Sequence, residues 1–192
     1  LKLWEGLGYY NRVRNMQKAA RVIVSEYGGD FPADYEKLLS LPGLGHYTAG
    51  AVSSIAFGIP MPAVDGNVLR VLSRVTASYE DVLKQSVKTA MEAEVKKIIP
   101  ADRAGDFNQA LIEIGAIVCV PNGKAKCEIC PLAFLCEAYK KGIVDELPKK
   151  KVKRERRIED RTILILKEGD RVGIRKRPSK GLLAGLYELP GL

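Results

Sequence analysis

The chain has 192 residues, 46% of them apolar, enough to bury a sizeable core in one or two domains. It contains no run of about 18 apolar residues to span a bilayer, and residues 1–20 lack the order of a signal peptide, so an intracellular setting is expected. The formal charge is +8, of which the run Lys149–Arg157 alone contributes +6, so a basic face on the folded part does not follow from net charge.

Residues 1–140 read as helices, because apolar residues recur at helical spacing. The rows are Val13, Met16, Ala20 and Val24; Ala51, Ser54 and Ile55; Val68, Val71, Leu72 and Val75; and Leu111, Ile114 and Val118. Turns are expected at Gly28-Gly29, Leu41-Pro42-Gly43, Gly58-Ile59-Pro60 and Ile99-Pro100. In Leu41-Pro-Gly-Leu-Gly-His-Tyr-Thr-Ala-Gly50, Pro42 blocks helix continuation, and Gly43 and Gly45 permit positive φ. A second helix starting near His46 makes this a tight hairpin whose free N–H groups form a ready site for a phosphate oxygen. Taken alone, it is equally an ordinary interhelical turn.

About twenty residues on, Asp65 stands beside Gly66 at the start of the next helical row, in Ala63-Val-Asp-Gly-Asn-Val-Leu-Arg70. The local expectation is a helix cap. A carboxylate held there can also stabilise positive charge developing on a sugar as its C1′–N bond breaks. The four cysteines, Cys119, Cys127, Cys130 and Cys136, are spaced Cys-x7-Cys-x2-Cys-x5-Cys. Four-cysteine zinc sites mostly pair two Cys-x2-Cys knuckles; a single knuckle is closer to a [4Fe–4S] loop. In a reducing compartment thiolate ligands are expected in preference to disulfides. From Thr162 the pattern changes: Thr162–Leu166 and Arg171–Arg177, separated by Glu168-Gly-Asp170, read as a β-hairpin.

Hairpin, Asp65, the segment Phe107-Asn-Gln-Ala-Leu-Ile-Glu-Ile-Gly115 and the cysteine loop occur in the order found in the helix-hairpin-helix DNA glycosylases that include endonuclease III. The chain resembles the MutY-type adenine DNA glycosylases within that superfamily. Position 47 is Tyr where strand-cutting relatives carry a Schiff-base Lys, and Trp4-Glu-Gly-Leu-Gly-Tyr-Tyr10 resembles a further family segment. Gly181-Leu-Leu-Ala-Gly-Leu-Tyr-Glu-Leu-Pro190 is similar to the element opening the family's Nudix-like C-terminal domain, with Tyr187 and Leu189 in place of Trp and Phe. The family's cysteine pattern has one residue fewer in its first interval, and the surplus falls in the Pro- and Gly-containing loop 120–126.

The resemblance implies a mainly α fold. A helical glycosylase domain is expected over 1–140, with a cluster loop at 119–136, a basic linker over 141–160, and the start of a Nudix-like α+β domain over 161–192. It implies monofunctional removal of adenine opposite 8-oxoguanine or guanine. Asp65 becomes the catalytic carboxylate; Asn67 positions it or a water, and Tyr47 lines the pocket. Gln109 contacts adenine, and Tyr9 wedges into the base stack. Gly43, Gly45 and His46 grip DNA together with a bound alkali cation, and Lys124 and Lys126 beside the cluster touch phosphates. The four cysteines hold a [4Fe–4S] cluster. A monomer is expected on double-stranded DNA with an A:8-oxoguanine mispair, away from membranes, in a bacterial cytoplasm at the nucleoid.

In the family, the proton for N7 of adenine comes from a Glu on a helix preceding the Trp4 segment. Because the chain opens mid-helix without Met, an internal piece of a longer protein, itself inactive, is the expectation. The alternatives are an endonuclease III-like glycosylase acting on another base, a non-catalytic DNA-binding module, and a zinc protein.

Overall fold

Where the apolar rows fall on adjacent helical turns, helices form: α1 (Tyr10–Tyr27), α2 (Tyr35–Ser40), α3 (His46–Phe57), α4 (Gly66–Val75), α5 (Gln85–Ile98), α6 (Ala104–Glu113) and the short α7 (Glu137–Lys140). This computed structural model describes residues 2–151, 158 and 160–191. Of the expected basic linker, residues 152–157 and 159 lie outside the described residues. The chain divides into two compact units, Asn11–Val152 and Leu1–Tyr10 with Lys153–Leu192.

Unit Asn11–Val152 has two apolar centres. In the first, α1, α2 and α3 meet over Ala19, Ile23, Leu38, Leu41 and Ala49. In the second, α4 inserts Val68, Leu69 and Val71 against Val64, Val82, Val95 and Leu111. Burying such side chains contributes about 1.5–3 kcal/mol each and is what holds short helices that would be marginal alone. The α4 row is therefore as expected, with Leu72 and Val75 packed at its edge. The α1 row is not. Met16 and Val24 are 60% and 68% exposed, Ala20 is exposed and Val13 half-buried, while Ala19 and Ile23 are buried. Helix α1 carries two apolar stripes, and its packing against Leu38 and Ala49 selects the one that periodicity passed over. Likewise, α3 buries Ala49, Gly50, Ser53 and Ser54 and leaves Ile55 exposed.

Small residues let elements approach closely. A Cβ on Gly50 would lie 1.9 Å from the carbonyl oxygen of Pro62, and one on Gly105 would lie 3.0 Å from that of Ser54. Helix α6 continues as a π-helical turn, Ile114–Val118, in which a Cβ on Gly115 would lie 2.5 Å from the Cβ of Asn67. Such π turns are frequent at functional sites. The segment expected to be linker from 141 is fastened to this unit as far as 149. Leu147 is buried, Arg74 Nε donates to the carbonyls of Val144 and Leu147 (both 3.0 Å), and Val82 N–H donates to the Lys149 carbonyl (3.2 Å).

In the other unit, β1 (Lys167–Glu168) and β2 (Arg171–Val172) form the antiparallel hairpin around Gly169-Asp170, in register Lys167↔Val172. The ladder is shorter than expected. Beyond it, β3 (Arg175–Lys176) pairs with β4 (Tyr187–Glu188), and Ile163 bridges to Gly191, so the C-terminal segment takes partners that a plain hairpin would have kept. Glu188 accepts from Arg175 Nε (2.9 Å) and pairs with Arg177; the Arg175 hydrogen bond foremost holds its carboxyl below the ordinary value. Among the described residues, no helix is long and apolar enough to cross a membrane.

Candidate active site

The hairpin forms as Leu41 leaves α2 in an extended conformation and Leu44 N–H donates to the Leu41 carbonyl (3.1 Å). Gly43 has φ +85°, and a Cβ there would also collide with Asn15 on α1 at 2.5 Å. Gly45 differs from expectation: its φ is −96°, and a Cβ would meet nothing within 4 Å. Only one of the two glycines is thus required by backbone conformation, and the other serves by leaving the N-terminus of α3 bare. No side chain caps that end, and Gly45, His46, Tyr47 and Thr48 are exposed. Amides and helix dipole together present partial positive charge there. His46 Nδ1 lies 2.9 Å from Tyr35 Oη. Burial foremost, then Glu92 and Glu36, raises the Tyr35 phenol, so it stays protonated.

At the head of α4, Asp65 caps the helix as the local sequence indicates. Its Oδ1 accepts from the backbone N–H of Asn67 (2.8 Å) and Val68 (2.9 Å). Its Oδ2 accepts from Asn67 Nδ2 (3.0 Å). The amide of Asn67 is held in that orientation by Arg70, whose Nη2 donates to Asn67 Oδ1 (2.9 Å) and the Gly115 carbonyl (2.7 Å), while Nε donates to the Cys119 carbonyl (2.7 Å). Arg70 is 6% exposed. Burial foremost lowers its guanidinium, Cys119 and Asp65 oppose that, and Arg74 adds to it. Three hydrogen bonds thus run from the carboxylate through Asn67 and Arg70 to Cys119 at the start of the cysteine loop. Asp65 itself remains half-buried, its carboxylate pre-ordered and accessible.

Asn108, 1% exposed, joins three elements. Its Nδ2 donates to Ser54 Oγ on α3 (2.8 Å) and to the Met61 carbonyl (2.9 Å), and its Oδ1 accepts from Ala63 N–H (3.0 Å). The α3–α6 packing that carries Tyr47 and Gln109 is thereby tied to the segment leading into Asp65. Tyr47 is 41% exposed, and Gln109 is exposed beside Asn108. Among the described residues no hydrogen bond joins either to Asp65. Tyr9 sits after Gly6 and Gly8, both left-handed, and is itself at φ +46° and 77% exposed. Trp4 Nε1 closes that loop onto the Gly8 carbonyl (2.9 Å). A non-glycine residue in the left-handed region is strained, a mark common to functional positions.

Cys119, Cys127, Cys130 and Cys136 line one cavity with Arg74, Ile114 and Leu132. No three His, Cys, Asp or Glu side chains among the described residues converge as around a single ion. The donor set nonetheless fits a multi-iron group, in which each thiolate binds a different iron and the sulfurs stand apart. Burial foremost, then Cys119, Cys136 and Cys130, raises the Cys127 thiol. Arg74 Nη1 donates to Cys119 Sγ (3.2 Å), and Cys136 Sγ lies 3.4 Å from the Arg74 carbonyl. The loop with the surplus residue turns at Gly123 (φ +77°) and is pinned by buried Ala125. Lys124 and Lys126 are exposed on it, and Lys126 also lines the cysteine cavity.

Arg70, Arg74, Asn108 and Tyr35 received no role from the sequence. Arg70 and Arg74 carried a signal, two charges within the apolar row of α4; Asn108 and Tyr35 carried none.

The family profile described as "HhH-GPD superfamily base excision DNA repair protein" matches residues 1–100. Among curated proteins, the chain is 35% identical to the adenine DNA glycosylase of Homo sapiens over 238 residues, covering 100% of this chain and 43% of the human protein. It is 33% identical to that of Buchnera aphidicola subsp. Schizaphis graminum over 190 residues, covering 99% of this chain and 54% of the other. The chain therefore spans about half the length of these relatives. Among solved structures, a non-covalent endonuclease III–DNA complex superposes with a TM-score of 0.58 at 36% identity, covering 72% of this chain and 62% of that one.

Proposed function

The chain belongs to the HhH-GPD superfamily of base excision DNA repair proteins, and from that premise we propose that the protein removes adenine mispaired with 8-oxoguanine by hydrolysing its N-glycosidic bond. The observation that carries this is Asp65, a helix-capping carboxylate with Oδ2 held by an amide whose own orientation is locked by Arg70. A preorganised anion costs no reorganisation when charge develops, which is how fixed dipoles and charges lower such barriers.

The target base lies inside a duplex, so the nucleotide flips out to reach Asp65. The bare N-terminus of α3, with Gly43, Gly45, His46 and an alkali cation, holds backbone phosphate, and Lys124 and Lys126 add further contacts. Asn67 orients Asp65 or the attacking water, Tyr47 lines the pocket, and the Gln109 amide bonds the N6/N7 edge of adenine. Tyr9 wedges beside the oxidised guanine. Residues 161–192 belong to a Nudix-like domain that inspects that guanine. As adenine leaves, Asp65 stabilises the oxocarbenium-like sugar. No residue of this chain is assigned the donor of the N7 proton, and the chain by itself is proposed to lack turnover.

The four cysteines hold a [4Fe–4S] cluster, which when bound supplies four iron–thiolate bonds closing the loop 119–136. Tyr47 has no amine to form an imine, so strand cutting is not part of the reaction. The protein is proposed to act as a monomer in the bacterial cytoplasm at the nucleoid. The likeness to proteins named adenine DNA glycosylase supports this reading over one in which another base is removed.

In the complete protein, Asp65→Asn keeps the cap and DNA binding but abolishes excision. Undiminished excision by that variant refutes the assignment, and a borohydride-trapped adduct at Tyr47 refutes the monofunctional reading.

A further inference from the structure

Asp65 lines a cavity of about 240 Å³ that also takes in Lys88 and Lys150 over the apolar side chains of Leu69 and Val82. The two lysines come from distant parts of the chain. Lys88 sits in the first turn of α5, whose N-terminus has no side-chain cap. Lys150 follows Leu147-Pro148 on a segment held against the 77–84 loop. That strap consists of the Val82 N–H to Lys149 carbonyl bond (3.2 Å), Tyr79 Oη donating to Glu146 Oε2 (2.9 Å), and the Lys149 ammonium 3.9 Å from Glu146 and 5.1 Å from the Tyr79 ring centre. Neither Lys88 nor Lys150 forms an ion pair with a described residue. Lys150 on the strap and Lys88 on α5 thus bring two ammonium groups, unpaired among the described residues, beside a carboxylate, and folding alone does not explain that placement.

A nucleotide whose sugar faces Asp65 brings a phosphate on each side of that sugar. Those anions must sit close to a fixed carboxylate, and in a partly desolvated cavity the repulsion is weakly screened. Cations in the same cavity remove it. We propose that Lys88 and Lys150 form a phosphodiester-binding rim beside Asp65, with Tyr79 as the positioning residue that holds Lys150 there. Of the basic run after residue 148, Lys150 is then a DNA contact. This rests on the reading that DNA places a sugar over Asp65.

The test is the salt dependence of binding, by fluorescence anisotropy, between the complete protein and a duplex with one adenine opposite 8-oxoguanine. Lys88→Ala and Lys150→Ala each lower the slope of log K against log salt by about 0.9, and together by about twice that. Lys96→Ala, the same charge change near the far end of α5, leaves the slope unchanged, and Lys88→Arg restores it. Tyr79→Ala costs as much affinity as Lys150→Ala, and combining the two costs no more. A wild-type slope in the double lysine variant, or an equal loss in Lys96→Ala, overturns the rim alone. Absence of salt-dependent binding by the complete, unchanged protein overturns the DNA reading and the rim with it.

Discussion

Replacing Asn108 by Ala removes one small side chain and unmakes three hydrogen bonds at the joint between α3, α6 and the segment before Asp65. Ser54 Oγ keeps its bond to the Gly50 carbonyl (2.8 Å), so it is not orphaned. Ala63 N–H and the Met61 carbonyl each lose the Asn108 partner, and Ala63 is almost fully buried. Leaving the buried Ala63 N–H unpaired costs about 1–3 kcal/mol, and the part-buried Met61 carbonyl adds less, so the change costs about 2–4 kcal/mol. Against a total stability of about 5–15 kcal/mol for a domain, that is a large fraction. The assay is urea unfolding followed by far-ultraviolet circular dichroism. With a slope of about 1–3 kcal/mol per molar urea, a loss of about 3 kcal/mol moves the midpoint down by about 1–3 M at unchanged slope. A loss below about 1 kcal/mol refutes the reasoning, because it means water or a shifted backbone satisfies the freed groups.

Three further outcomes are expected. Gly43→Ala meets both a left-handed backbone and Asn15, and costs about 1–3 kcal/mol, whereas Gly45→Ala changes folding stability by less than about 0.5 kcal/mol; equal losses in the two would contradict the geometry. Arg70→Met strips the partners from the Gly115 and Cys119 carbonyls and frees the Asn67 amide, so excision by the complete protein falls while affinity for substrate DNA changes little; retained excision would show that Asn67 holds Asp65 unaided. Ser53 Oγ is buried with no hydrogen-bond partner among the described residues, so Ser53→Ala leaves stability unchanged or raises it by up to about 1 kcal/mol, and a clear loss in thermal unfolding would reveal an unseen partner.

The relation between the joint at Asn108 and the cap at Asp65 shows which features were open to reading from the chain alone. Asp65 is a cap because Asp-Gly-Asn precedes a strong apolar row, and a cap needs only the next three residues. The α3 start at His46, the turns at glycine and proline, and the α4 face are of the same kind: their causes lie within one or two helical turns. Asn108 is different. Its partners are 45, 47 and 54 residues away, so nothing in its neighbourhood marks it as more than a polar residue on a helix.

What the sequence determined by itself was therefore the set of helices, the hairpin, the capping carboxylate and the four thiols, all consequences of short-range sterics, hydrogen bonding and residue chemistry. Tertiary structure decided which of two apolar stripes of α1 is buried, that Gly45 adopts an extended conformation, that Gly50 and Gly115 are contact points between segments, and that Arg70 bridges Asn67 to Cys119. It also set the strand partners after residue 162, where Tyr187–Glu188 pairs with Arg175–Lys176 in a second two-stranded sheet and Gly191 bridges to Ile163. The reason is common to all of these. Each depends on which distant surface arrives to exclude water or to supply a partner, and local sequence constrains neither.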